Sequence, residues 1–82
     1  MHITIYSAPG SHGERLRFSA QEALASVGLK AAVNLETDEF NFARAGVLFT
    51  PAVAVDGRLI SNGWMPQRDE LLNALAASTY RY

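Results

Sequence analysis

Asp56-Gly57, set between Ala52-Val53-Ala54-Val55 and Arg58-Leu59-Ile60-Ser61, restricts the fold more than any other stretch of the chain. A two-residue turn of this kind needs left-handed backbone at both positions, which Asp tolerates and Gly adopts freely. It therefore predicts an antiparallel hairpin late in the chain. The first third of the chain makes a different demand. Residues 2–7 alternate, with Ile3 and Ile5 on one face and Thr4 and Tyr6 on the other, as a strand apolar enough to be buried on both sides. Ser7-Ala8-Pro9-Gly10 breaks it, a helix follows, and residues 29–35 read as a second strand. Strand, helix and strand in so few residues close as a right-handed unit with parallel strands. One small chain must then hold both a parallel and an antiparallel pair, which points to a mixed sheet with the first strand central.

The helix borders rest on local chemistry. Ser11 with Glu14 three residues on gives a capping-box pattern, placing the first helix start near residue 11. Leu16, Ala20, Ala23, Leu24 and Val27 then recur at helical spacing, and Gly28 sits where a left-handed stop belongs. Thr37 or Asp38 can cap a short second helix with Phe40, Phe42, Ala43 and Val47 near its buried side and Gly46 at its end. Phe40 and Phe42 are two apart, so they cannot both face inward, and one becomes a partly exposed apolar spot. Pro66 suits the first turn of a last helix, with Asp69 and Glu70 close behind and Leu71, Leu72, Leu75 and Ala76 on its buried face. The expected order is β-α-β-α-β-β-α, a single domain over residues 1–82 with 78–82 as a frayed tail.

Composition narrows the function. The net charge is -1, and six Arg and one Lys are scattered along the chain, which argues against a nucleic-acid partner. No apolar run is long enough to span a bilayer, and the first residues alternate like a strand rather than a signal peptide, so a cytoplasmic location is expected. The sequence contains no cysteine, which removes disulfides, thiolate nucleophiles and thiolate metal sites together. His2 and His12 fall at opposite ends of the first strand and cannot share a metal, so neither a metal site nor a cofactor is expected.

The element order, with a turn and helix after the first strand and Thr50-Pro51 ahead of the hairpin, resembles the thioredoxin fold. The run from Gly46 through Val47-Leu48-Phe49-Thr50-Pro51-Ala52, the Val55-Asp56-Gly57 turn and the closing Gly63 is similar to glutaredoxin-sized thioredoxin-like proteins of the redox-active disulfide type. The resemblance implies an α/β thioredoxin-like fold with a four-stranded mixed sheet and helices on both faces. It implies a cis bond before Pro51, ligand pairing with the backbone of Thr50, and a loop Asn62-Gly63-Trp64 beside them. Where such proteins carry Cys-x-x-Cys, this chain has Gly10-Ser11-His12-Gly13, so both sulfur positions are glycine. Thiol–disulfide exchange needs a thiolate, and the family's reaction does not carry over.

The Gly10-Ser11-His12-Gly13 turn has a plain role, a helix start relieved by glycine, and a functional one. In the second, unpaired helix N–H groups and small residues favour a carboxylate or an approaching backbone. Ser11 lacks a base and an orienting acid, so no catalytic residue is assigned. Trp64 and Phe49 are either tucked over the sheet or exposed as binding anchors. The expected function is a cysteine-less binding module. Gly10, Ser11, His12, Gly13, Phe49, Thr50, Pro51, Gly63 and Trp64 would form a groove for an extended peptide, a protein partner, or a small thiol or carboxylate such as glutathione. Two alternatives stand beside it: a glutathione-dependent transferase-like enzyme using Ser11, and an interaction subunit whose active site is a relic. The oligomeric state is not encoded in any pattern of the sequence.

Overall fold

A computed structural model describes the backbone of residues 2–79 and the side chains through residue 77. The elements are β1 (His2–Tyr6), α1 (Ser11–Ala25), β2 (Ala32–Glu36), α2 (Glu39–Ala45), β3 (Ala52–Val55), β4 (Arg58–Asn62) and α3 (Arg68–Thr79). One four-stranded sheet runs in the order β2-β1-β3-β4, with β1 and β2 parallel and the other pairs antiparallel. The β-α-β-α-β-β-α order and the mixed sheet are those of the thioredoxin-like fold that the sequence predicts.

The hairpin closes through Asp56 and Gly57, at φ 50° and 83°, both left-handed as a tight turn of this hand requires. A second tie holds the turn to β1: His2 N–H donates to Asp56 Oδ1 at 2.8 Å, and Asp56 N–H donates to the His2 carbonyl at 2.8 Å. β4 carries a bulge opposite Val53 and Ala54, which pair with Ser61 and Leu59 and leave Ile60 unmatched.

α1 and α3 cover one face. Ile3, Ile5, Val53, Leu71 and Leu75 are fully buried there, each contributing about 1.5–3 kcal/mol of burial free energy. On α1 the buried positions are Gly13, Ala20 and Leu24, with Leu16 packed against them. Val27 lies exposed, because the helix has already stopped: Gly28, at φ 73°, turns the chain so that Leu29 N–H donates back to the Leu24 carbonyl. That closure consumes residues 29–31, and β2 therefore begins at Ala32 rather than at residue 29. The opposite face is thinner. It is covered by α2, which buries none of its own residues and touches the sheet by an edge-on contact of Phe42 with Tyr6, 5.8 Å between ring centroids. Thr4 and Tyr6 are consequently only half-buried, and β1 is not enclosed on both sides. Phe40 is the outward phenylalanine, 81% exposed.

Two helix starts differ from their sequence patterns. The Ser11–Glu14 capping box is not made: Gly10 occupies the cap position, Ser11 is the first helical residue, and Glu14 instead accepts from Arg17 at 2.7 Å. α3 begins after Pro66 and Gln67, not with Pro66 in its first turn, and the Gln67 N–H donates to Glu70 Oε1 at 3.2 Å. Ala76 is exposed, leaving Leu71 and Leu75 as the buried pair of that helix with Leu72 beside them. α3 runs on through Thr79, two residues into the expected tail, and residues 80–82 lie outside the described residues.

Candidate functional site

One row of paired residues crosses the sheet at its end: Glu36 with Tyr6, Tyr6 with Ala52, and Ala52 with Asn62. The segments that leave this row all emerge on one edge. They are the turn from Ser7 to Gly10, the connection into α2, the 46–51 loop, and the loop after Asn62. Strand polarity alone thus sets the sequence-predicted site residues of the helix start, the Thr50-Pro51 loop and Gly63-Trp64 at the same end of the sheet.

The helix start is shaped by glycine. Gly10 has φ 130° and ψ -175°, a backbone region essentially closed to residues with a Cβ. Among the described residues no side chain caps α1, so its first N–H groups lack a side-chain partner. Ser11 and His12 are exposed. Gly13 is buried, and a Cβ on it would meet the Leu35 methyls at 3.1 and 3.2 Å and the Ser7 Oγ at 3.3 Å. Gly10 and Gly13 are therefore unlike each other: one is open space with strained backbone, the other a close contact with β2.

The facing loop is held by a single side chain. Asn62 Oδ1 accepts from the Leu48 N–H at 2.8 Å and the Phe49 N–H at 3.1 Å, while Asn62 Nδ2 donates to the Gly46 carbonyl at 3.0 Å. Next to it, Gly63 N–H donates to the Pro51 carbonyl at 2.9 Å. The Thr50–Pro51 peptide bond is cis. Gly63, at φ 113°, passes so close that a Cβ would stand 3.2 Å from the Phe49 Cβ. With its backbone fixed from behind, the loop turns its side chains outward: Leu48 is 77%, Phe49 68% and Trp64 50% exposed, and Thr50 is exposed as well. Trp64 and Phe49 are thus on the surface rather than tucked over the sheet. Sequence reasoning sets Asn62 beside this loop but misses its part in holding it. Its partners lie 13 to 16 residues away, and its only local signal is an Asn-Gly step at a strand end.

Glu36, Asp38 and Asn41, at the same end of the sheet, are already engaged. Glu36 accepts from the Asp38 N–H at 3.1 Å and from Asn41 Nδ2 at 2.8 Å, and Asp38 Oδ1 caps the Phe40 N–H at 2.9 Å. A shallow depression of about 500 Å³ opens beside them, lined by Thr37, Asp38, Glu39, Phe40 and Ala43. Of its polar lining, the Asp38 carboxylate is spent on starting α2.

Comparison with known families settles the ancestry of this edge. A thioredoxin-domain family model matches residues 1–76. The chain belongs to the thioredoxin-domain family. No curated protein matches the sequence. Within that family, this chain contains no cysteine, so it has no thiol with which to exchange disulfides. Among the described residues, no helix is long and apolar enough to cross a membrane.

Proposed function

We propose that this thioredoxin-domain protein is a binding module. Its ligand, an extended peptide or a small carboxylate or thiol such as glutathione, lies between the start of α1 and the Thr50-Pro51 loop. The observation that carries this reading is the loop itself: Leu48, Phe49 and Thr50 are exposed, yet their backbone is locked by Asn62 and Gly63. An exposed apolar segment held in one conformation binds at lower entropic cost than a mobile one. Facing it, the uncapped N–H groups of α1 suit a carboxylate or a carbonyl. Titration of isotope-labelled protein with glutathione and with an extended peptide tests the proposal. Amide signals of residues 10–13 and of Thr50 are expected to shift together at millimolar ligand; silence at both segments removes the groove as a site.

A second reading, an interaction subunit that uses the Leu48, Phe49 and Trp64 surface for a protein partner, is favoured by the size of the exposed apolar side chains. It differs in one readout. A partner docking on that surface perturbs Leu48, Phe49 and Trp64 and leaves residues 10–13 unshifted.

A further inference from the structure

The two edges of the sheet are treated differently. β4, at one edge, is bulged at Ile60 and opens with Arg58, and both features obstruct strand addition. β2, at the other edge, is Ala32-Val33-Asn34-Leu35-Glu36: five residues paired in regular register with β1, with no proline, no bulge and no charge before its last residue. Backbone direction along β2 follows from one bond. The Glu36 carbonyl accepts from the Ser7 N–H, so the even-numbered residues of β2 turn their backbone groups toward β1. The N–H and C=O groups of Val33 and Leu35 then point away from the sheet, where no strand lies among the described residues.

We propose that β2 pairs antiparallel with β2 of a second copy of this chain, centred on Val33. The charges choose both the occupant and the register. Lys30 precedes the strand and Glu36 ends it, each three residues from Val33. In a two-fold antiparallel pair centred there, Lys30 of each copy stands opposite Glu36 of the other, on the same face. Among the described residues Lys30 is exposed and has no ion-pair partner of its own. Val33 meets Val33 as a hydrogen-bonded pair, and residues 31 and 35 form two more, so every outward backbone group from 31 to 35 finds a partner. Ala32 and Asn34, both exposed, pair with each other across the interface. A net charge of -1 does little to oppose self-association. The result is one continuous eight-stranded sheet with its two ligand grooves opening in opposite directions. The inference is independent of what those grooves bind.

Sedimentation velocity of the whole chain from micromolar to millimolar concentration tests it. A reversible monomer–dimer equilibrium is expected, weak because a strand-edge contact is small. Lys30→Glu sets like charges opposite each other at two places and should weaken the dimer roughly tenfold. Glu36→Lys does the same, whereas an equimolar mixture of the two variants restores the attractive pairs and should associate as well as the parent. Ala32→Lys puts a charge into the middle of the edge at an exposed side chain, and should abolish the dimer with the fold intact by circular dichroism. Because Glu36 also accepts bonds at the start of α2, Lys30→Glu and Ala32→Lys decide the matter alone if Glu36→Lys does not fold. A chain that stays monomeric at millimolar concentration overturns the proposal. So does a dimer indifferent to both variants, which would place the contact elsewhere, the Phe49 and Trp64 surface being the first place to look.

Discussion

The two walls of the candidate groove leave the same row of strand ends, yet one takes its shape from glycine backbone and the other from an asparagine side chain. At the start of α1, Gly10 supplies a conformation other residues resist, and no side chain contributes a cap. Across from it, Asn62 satisfies two N–H groups and one carbonyl of the 46–51 loop. The difference teaches where each wall is vulnerable. A conformational device fails locally when a Cβ is added. A hydrogen-bonding device fails at a distance, because the side chain and the loop it holds are separated in sequence.

Replacement of Asn62 should break this comparison most severely. Asn62→Ala removes three hydrogen bonds, each worth about 0.5–1.5 kcal/mol net, and is expected to cost about 2–3 kcal/mol in chemical denaturation. Faster hydrogen exchange at Leu48 and Phe49, with residues 10–13 unchanged, would identify the loss as that of the clamp. An unchanged Leu48 amide would show that the loop holds itself. Gly10→Ala comes next, at about 1–2 kcal/mol, and its cost is purely conformational because nothing lies within 4 Å of the added methyl. Amide shifts there should stay near the start of α1. Asp38→Ala, which deletes a cap that the structure does make, should cost about 1 kcal/mol in the same assay. Ser11→Ala should cost under about 0.5 kcal/mol, since the hydroxyl caps nothing. A cost as large as that of Asp38→Ala would mean Ser11 caps α1 in solution and the two walls are more alike than described.

The parts legible in the sequence are those decided within a few residues. Asp56-Gly57, Gly28 and Gly46 announce left-handed backbone, Asp38 announces a cap, and each is found in that role. Where two local rules compete, the pattern misleads. Ser11 and Glu14 match a capping box, but Gly10 takes the cap position and Arg17 takes the carboxylate. Alternation at Thr4 and Tyr6 suggests a strand buried twice over, while coverage of that face depends on how closely a seven-residue helix can pack. For the candidate site, strand polarity makes the placement of residues 10–13, 50–51 and 63–64 at one end of the sheet legible. The exposure of Phe49 is not, because the backbone of its loop is held by bonds that Asn62 makes across 13 to 16 residues.

Asn62 is followed by Gly63, and that adjacency turns the clamp into a recorder of time. An asparagine side chain before glycine cyclises when the next backbone nitrogen attacks its carbonyl carbon, expelling ammonia to leave a succinimide that water then opens to aspartate or isoaspartate. In the folded protein both reacting groups are restrained: Gly63 N–H is bonded to Pro51 and Asn62 Nδ2 to Gly46. Cyclisation therefore waits for the loop to open. Once it has happened the donor to Gly46 is gone, a negative charge faces that carbonyl, and the clamp cannot be remade. Mass spectrometry of protein aged at mildly alkaline pH should find this residue altered slowly when native and quickly in denaturant. Equal rates in the two states would show that the loop gives its asparagine no shelter. The bond network that holds the 46–51 loop in place thus also sets how long Asn62 survives intact.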